Sequence, residues 1–117
     1  MEMTASGFAP TSGFAKHVRA VLTRSAFGGE HDFDVLEYDK PVDSNDMVPC
    51  DWLKIATDIS ENESSFDGFI VIHGTDTMAF TGAALSYLRR GLEKTVVLTG
   101  AMRPICLSSS DGPSNLK

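Results

Sequence analysis

At 117 residues, with 42% hydrophobic and 9% aromatic content, the chain suits a single globular domain and is not a disordered polypeptide. Its formal charge of −6, with no cluster of Lys and Arg, argues against a general nucleic-acid binder. No apolar run is long enough to span a bilayer, and the first seven residues lack the basic and apolar regions of a signal peptide, so no membrane partner and a cytoplasmic setting are expected.

Residues 1–12, with two Gly, Pro10 and several Ser and Thr, read as a loop or ragged start. Thr11-Ser12-Gly13 offers a helix N-cap, after which Phe14, Val18, Val21 and Leu22 share one helical face, predicting a first helix from Phe14 to Thr23. Lys16, His17, Arg19 and Arg24 are then a solvated basic face. Gly28-Gly29-Glu30-His31 reads as a turn, and Phe33, Val35, Leu36 and Tyr38 predict a strand from Asp32 to Tyr38. The stretch from Asp39 to Asp46, taken alone, is a solvated acidic turn whose side chains can bond backbone N–H groups or a polar ligand.

Pro49 can open a helix, and Trp52, Ile55, Ala56 and Ile59 place an apolar face on it with Trp52 as a core anchor. Glu61-Asn62-Glu63-Ser64-Ser65 breaks that pattern. Phe69-Ile70-Val71-Ile72 then reads as a buried strand that stops abruptly in His73-Gly74-Thr75-Asp76-Thr77. Thr77 is a good N-cap for a helix from Met78 to Arg90, with Gly91 just past its end. Thr95-Val96-Val97-Leu98-Thr99-Gly100 repeats the same grammar. Two strands flanking such a helix form a βαβ unit, which calls for parallel pairing and brings both strand ends to one edge. Ser108 to Leu116 reads as a loop with an incipient helix. Cys50 and Cys106 lack CxxC spacing and read as thiols rather than a disulfide or a catalytic pair.

The chemistry of the chain gathers at Thr75-Asp76-Thr77. In open α/β sheets ligands bind outside the carboxyl ends of the strands, beside helix N-termini. A Thr hydroxyl is a weak nucleophile that needs a neighbouring base, and a carboxylate at this position can hold an ammonium group. His73, although adjacent, reads as structural. The stretch is not GxGxxG, lacks the Walker Lys, and no His or Cys has metal-ligand spacing, so no cofactor and no metal are expected.

Phe69-Ile70-Val71-Ile72-His73-Gly74-Thr75-Asp76-Thr77-Met78 resembles the second active-site signature of the asparaginase/glutaminase family, the bacterial-type L-asparaginases that hydrolyse asparagine to aspartate and ammonia. Asp43-Ser44-Asn45-Asp46-Met47 is similar to the family's substrate-holding loop. Val97 to Pro104 and Ser110 to Leu116 are similar to its next strand and loop. The likeness runs from about Ser6 to Leu116 and leans toward the cytosolic type I branch. It implies an α/β fold, an open, mostly parallel sheet covered by helices in the flavodoxin-like manner, with residues 1–117 forming part of the amino-terminal domain. It also implies that Thr75 is one of two catalytic threonines, that Asp76 binds the α-amino group of the substrate, and that Ser44 and Asn45 hold its α-carboxylate and amino end. The Ala101 backbone carbonyl would lie near the substrate amide. L-Asparagine is the implied partner, and family members form homodimers or tetramers.

The family pattern begins with a strand ending in Thr-Gly-Gly-Thr-Ile, which has no counterpart before Ser6. Its catalytic Lys falls beyond Lys117, and none of Lys16, Lys40, Lys54, Lys94 or Lys117 stands in the matching context. The sequence is therefore expected to be an internal piece of the amino-terminal domain, or else a non-catalytic α/β module or degenerate paralogue that binds an amino acid.

Overall fold

A computed structural model describes residues 2–4, 7–9, 13–24, 31–105 and 107–116. Their contacts divide the chain into two compact units. One draws on both ends of the chain, up to Asp43 and again from Ala101, and the other is Ser44–Gly100.

The central unit begins with a single 3-10 turn, Ser44–Asp46, and continues into helix α2, Pro49–Asn62. Pro49 stands in its first turn, as expected, and the Asp51 carboxylate adds a cap by accepting the Val48 N–H at 2.8 Å. Ile55, Ala56 and Ile59 are buried along one stripe of α2, as their spacing predicts. Strand β3, Gly68–Ile72, leads to helix α3, Met78–Leu88, and then to strand β4, Thr95–Thr99. β3 and β4 pair in parallel with Gly68 opposite Thr95 and Ile72 opposite Thr99. The His73 N–H extends this ladder by donating to the Thr99 carbonyl at 2.8 Å.

The core of this unit is small. Ile55, Ile59 and Leu85 are its large buried aliphatics, each contributing about 1.5–3 kcal/mol by burial. Helices α2 and α3 pack on one another, and an Arg89–Glu63 ion pair at 3.0 Å ties their carboxyl ends together. The sequence implies a fully buried β3, but only one face is covered. Phe69, Val71, Val96 and Leu98 are half-buried, whereas Ile70 and Val97 on the other face remain 49% and 47% exposed. A continuous apolar run signals two apolar faces, and the helices cover one of them. Helix α3 also ends two residues earlier than expected. Gly91, in the left-handed region at φ 87°, lies beyond the cap at Arg89 rather than directly after the helix.

In the other unit, residues expected to form a ragged start contain a short antiparallel hairpin, β1 Glu2–Thr4 with β2 Gly7–Ala9, in which Met3 lies opposite Phe8. Three-residue strands are too short to display the alternation by which strands are read. Helix α1, Ala15–Arg24, buries Val18 and Leu22 and exposes Lys16, His17, Arg19 and Arg24. The caps at Thr11 and Ser12, the turn at Gly28–Glu30 and the thiol of Cys106 lie outside the described residues.

The strand expected at Asp32–Tyr38 is not formed. Its polar side chains engage α1 instead. The Glu37 carboxylate accepts the Phe14 and Ala15 N–H groups at 2.7 and 3.4 Å, capping the helix, and Asp34 pairs with Arg19 at 3.1 Å on the surface. Leu36, which would have faced a core, is 68% exposed. The incipient helix near the end is a real turn, α4, Gly112–Asn115.

Asp111 organises the segment that follows β4. Its carboxylate accepts the N–H groups of Arg103 at 2.9 Å and Met102 at 3.0 Å, together with the Asn115 amide at 3.1 Å. The two backbone donors, Arg103 first, lower its pKa from the usual 3.8 to about 2. Because the folded value lies below the unfolded one, the clamp stabilises the loop above pH 3.8 and loses its effect as pH falls toward about 2. Asp111→Ala should speed hydrogen exchange of the Met102 and Arg103 amides near neutral pH, relative to their intrinsic rates. Unchanged protection would show that something else holds the loop.

Candidate functional site

The site grows out of the end of β3. After Ile72 the chain leaves the ladder and turns through Gly74, Thr75, Asp76 and Thr77 before α3 begins at Met78. Parallel pairing brings Gly100, just past β4, to the same edge, where the Thr75 methyl Cγ2 lies 3.4 Å from the position a Gly100 Cβ would take. The expected meeting of the two strand ends is therefore present.

Asp76 is the focus of a polar cluster. Its Oδ2 accepts the Asn45 side-chain amide at 3.1 Å and the Ser44 hydroxyl at 3.4 Å. The 3-10 turn that carries Ser44 and Asn45 is thereby joined to the turn after β3, although they are separated by some 30 positions in sequence. Asp76 and Asn45 are exposed, whereas Ser44 is buried, which corrects the reading of its segment as wholly solvated. The close approach has a steric requirement. A Cβ on Gly74 would lie 2.6 Å from the Ser44 Oγ, so only glycine fits there.

Thr77 occupies the N-cap position, but its hydroxyl does not cap α3. It donates to the Ser44 carbonyl at 2.7 Å, while the Thr77 carbonyl accepts the first helical N–H groups, from Phe80 and Thr81. The side chain thus ties the two turns of the site together instead of satisfying the helix. Thr75 is half-buried, and its hydroxyl has no hydrogen-bond partner among the described residues.

Beneath this cluster lies a second network. His73 is buried, its Nδ1 lies 2.5 Å from the Gly74 carbonyl, and its Nε2 lies 2.8 Å from the Thr81 hydroxyl. Thr81 is completely buried and accepts the Trp52 indole N–H at 3.0 Å. The reading of His73 as structural agrees with these contacts. Trp52 is half-buried and serves as a hydrogen-bond donor as well as an anchor. Thr81 was not singled out from the sequence. The available signal was weak, a hydroxyl one turn before the buried Leu85 on a helix that also carries Ser86 and Tyr87.

Of the residues named from the sequence, the structure brings Ser44, Asn45, Thr75 and Asp76 into one corner. Ala101, the next residue after Gly100, belongs to the other unit, its Cβ 3.4 Å from where a Cβ on Gly112 would lie. Among the described residues, no three His, Cys, Asp or Glu side chains are grouped to hold a metal ion. No helix among them is long and apolar enough to cross a membrane.

Comparison with known proteins gives an independent measure. The family model for the asparaginase amino-terminal domain matches residues 3–117. L-Asparaginase 1 of Escherichia coli strain K12 is 40% identical over 116 residues, which cover 99% of this chain and 34% of that protein. The crystal structure of L-asparaginase I from Vibrio cholerae superposes with a TM-score of 0.75 at 41% identity, over 92% of this chain and 33% of that one. A 60 kDa lysophospholipase of Mus musculus is 48% identical over 84 residues, 72% of this chain and 15% of that protein. The chain thus spans 34% of the length of the first of these relatives.

Proposed function

Because the chain belongs to the asparaginase family through its amino-terminal domain, we propose that it supplies substrate-binding and catalytic groups of an L-asparaginase-type amidohydrolase, which cleaves asparagine to aspartate and ammonia. The observation that carries this reading is the convergence of Ser44 and Asn45 on Asp76, one residue from Thr75. A carboxylate at the mouth of a parallel strand pair, with a hydroxyl and an amide beside it, suits a compact zwitterion. Asp76 takes the α-ammonium group, and Ser44 and Asn45 hold the α-carboxylate and the amino end. Thr75 is one of two catalytic threonines in this reading.

The chemistry is nucleophilic. A threonine oxygen adds to the amide carbon as its proton passes to a base, the amide nitrogen gains a proton and departs as ammonia, and water then cleaves the ester to release aspartate. The base would be the family's lysine, which the resemblance assigns to sequence after this segment. A cytosolic setting in asparagine metabolism belongs to the reading, supported by the exposed free thiol of Cys50, which suits a reducing compartment. Homo-oligomeric assembly is part of it through the family likeness.

The test is ammonia release from L-asparagine by a protein of full asparaginase length that carries this segment, with L-aspartate binding followed by calorimetry on the same sample. Turnover is the expected result. Binding of L-aspartate without ammonia release would replace the amidohydrolase with an amino-acid-binding module.

A further inference from the structure

The polar network under the site runs in one direction, and its end point is the peptide that introduces Thr75. A carbonyl can only accept, so the Nδ1 of His73 facing the Gly74 oxygen carries the hydrogen. In the neutral imidazole Nε2 is then an acceptor, and the Thr81 hydroxyl donates to it at 2.8 Å. An indole N–H can only donate, so Trp52 supplies the Thr81 oxygen. These assignments give a chain in which Trp52 donates to Thr81, Thr81 to His73, and His73 to the Gly74 carbonyl.

Gly74 is where such a chain matters. The Ser44 side chain leaves no room for a Cβ, so this position must be glycine, the residue with the greatest backbone freedom. That freedom lies directly before a threonine whose hydroxyl finds no partner among the described residues. A reacting hydroxyl must be held in a narrow geometry, and misplacement by about 1 Å can cost about 100-fold in rate. We propose that Trp52, Thr81 and His73 are positioning residues that fix the Gly74 carbonyl and thereby aim Thr75. This proposal rests on the amidohydrolase reading for its catalytic consequence, while the relay itself is a property of the fold.

The experiment compares Thr81→Val, Thr81→Ser and Trp52→Phe in a full-length protein carrying this segment. Two readouts are followed, the His73 tautomer by nitrogen-15 NMR and the kinetics of ammonia release. Thr81→Val keeps the shape but removes the donor to Nε2, so the Gly74 carbonyl still holds Nδ1–H while the unprotonated Nε2, stripped of its hydrogen bond, should shift downfield in the nitrogen-15 spectrum. The kcat should fall at least about tenfold, with KM changed less than about twofold. Thr81→Ser should restore both readouts, and Trp52→Phe should give a smaller change in the same direction. An unchanged Nε2 shift and kcat in Thr81→Val would overturn the proposal. Equal losses in the Val and Ser variants would do so as well, by pointing to packing rather than the hydroxyl. Should the unaltered protein release no ammonia, the amidohydrolase reading fails on its own. The tautomer then decides the relay by itself, dominance of Nδ1–H supporting it and its absence overturning it.

Discussion

Thr75→Ala, in a full-length protein carrying this segment, is expected to lower kcat for L-asparagine by about 10³-fold or more and to leave thermal stability nearly unchanged. The two halves of that expectation come from different features of the turn. Thr75 is half-buried, and its hydroxyl bonds to no group among the described residues, so its removal leaves no buried donor or acceptor unpaired. The substrate-holding groups proposed here, Asp76, Ser44 and Asn45, bond to one another and not to Thr75, so KM should move little. What is lost is the hydroxyl itself.

Thr75→Ser separates chemistry from packing, because it keeps the hydroxyl and removes only the methyl that lies against Gly100. It should retain activity within about tenfold of the unaltered protein. Steady-state ammonia release and a thermal melt on each variant check the pair. Unchanged kcat in Thr75→Ala would remove this residue from the reaction, whatever the family likeness.

The β3–α3–β4 unit could be read directly because three kinds of local information agree there. Phe69 to Ile72 and Val96 to Leu98 are β-branched or large apolar residues in runs of strand length, and the helix between them has the length of a parallel crossover. The parallel pairing of β3 with β4 follows from this. Asp32–Tyr38 has equally good local composition, yet Glu37 and Asp34 direct their acceptors to α1 and the residue before it, partners at least 15 positions away that no local pattern announces. The same holds within the site. That Thr75 and Asp76 sit on a turn at a strand end was legible, and the resemblance supplied Ser44 and Asn45. The burial of Ser44 against Gly74, and the diversion of the Thr77 hydroxyl from its helix to the Ser44 carbonyl, depend on the tertiary approach of two turns. Capping preference is a local statement, and here a tertiary acceptor outcompetes it.

Gly100→Ala is expected to be the most damaging small substitution in the central unit. A Cβ at this position would collide with the His73 carbonyl oxygen and come within 2.8 Å of the Met78 methyl. Met78 is flexible and can move aside. The carbonyl cannot, because the His73 N–H is bound to the Thr99 carbonyl in the β3–β4 ladder, and the His73 ring is fixed at both nitrogens. Relief requires the strand ends to separate, at a cost of about 3 kcal/mol, the upper part of the usual range for overpacking.

Gly82→Ala provides the matched contrast. Gly82 lies inside α3, and its new Cβ would meet only the Leu98 side chain at 3.9 Å, an ordinary contact. With no clash, the helix preference for Ala over Gly should dominate, and the change should stabilise the protein by about 0.5–1 kcal/mol. Urea unfolding of both variants would measure the opposite signs. If Gly100→Ala were as stable as the parent, the strand ends would have to be looser than the ladder implies, and the edge would no longer hold Thr75 against Gly100 as a rigid element.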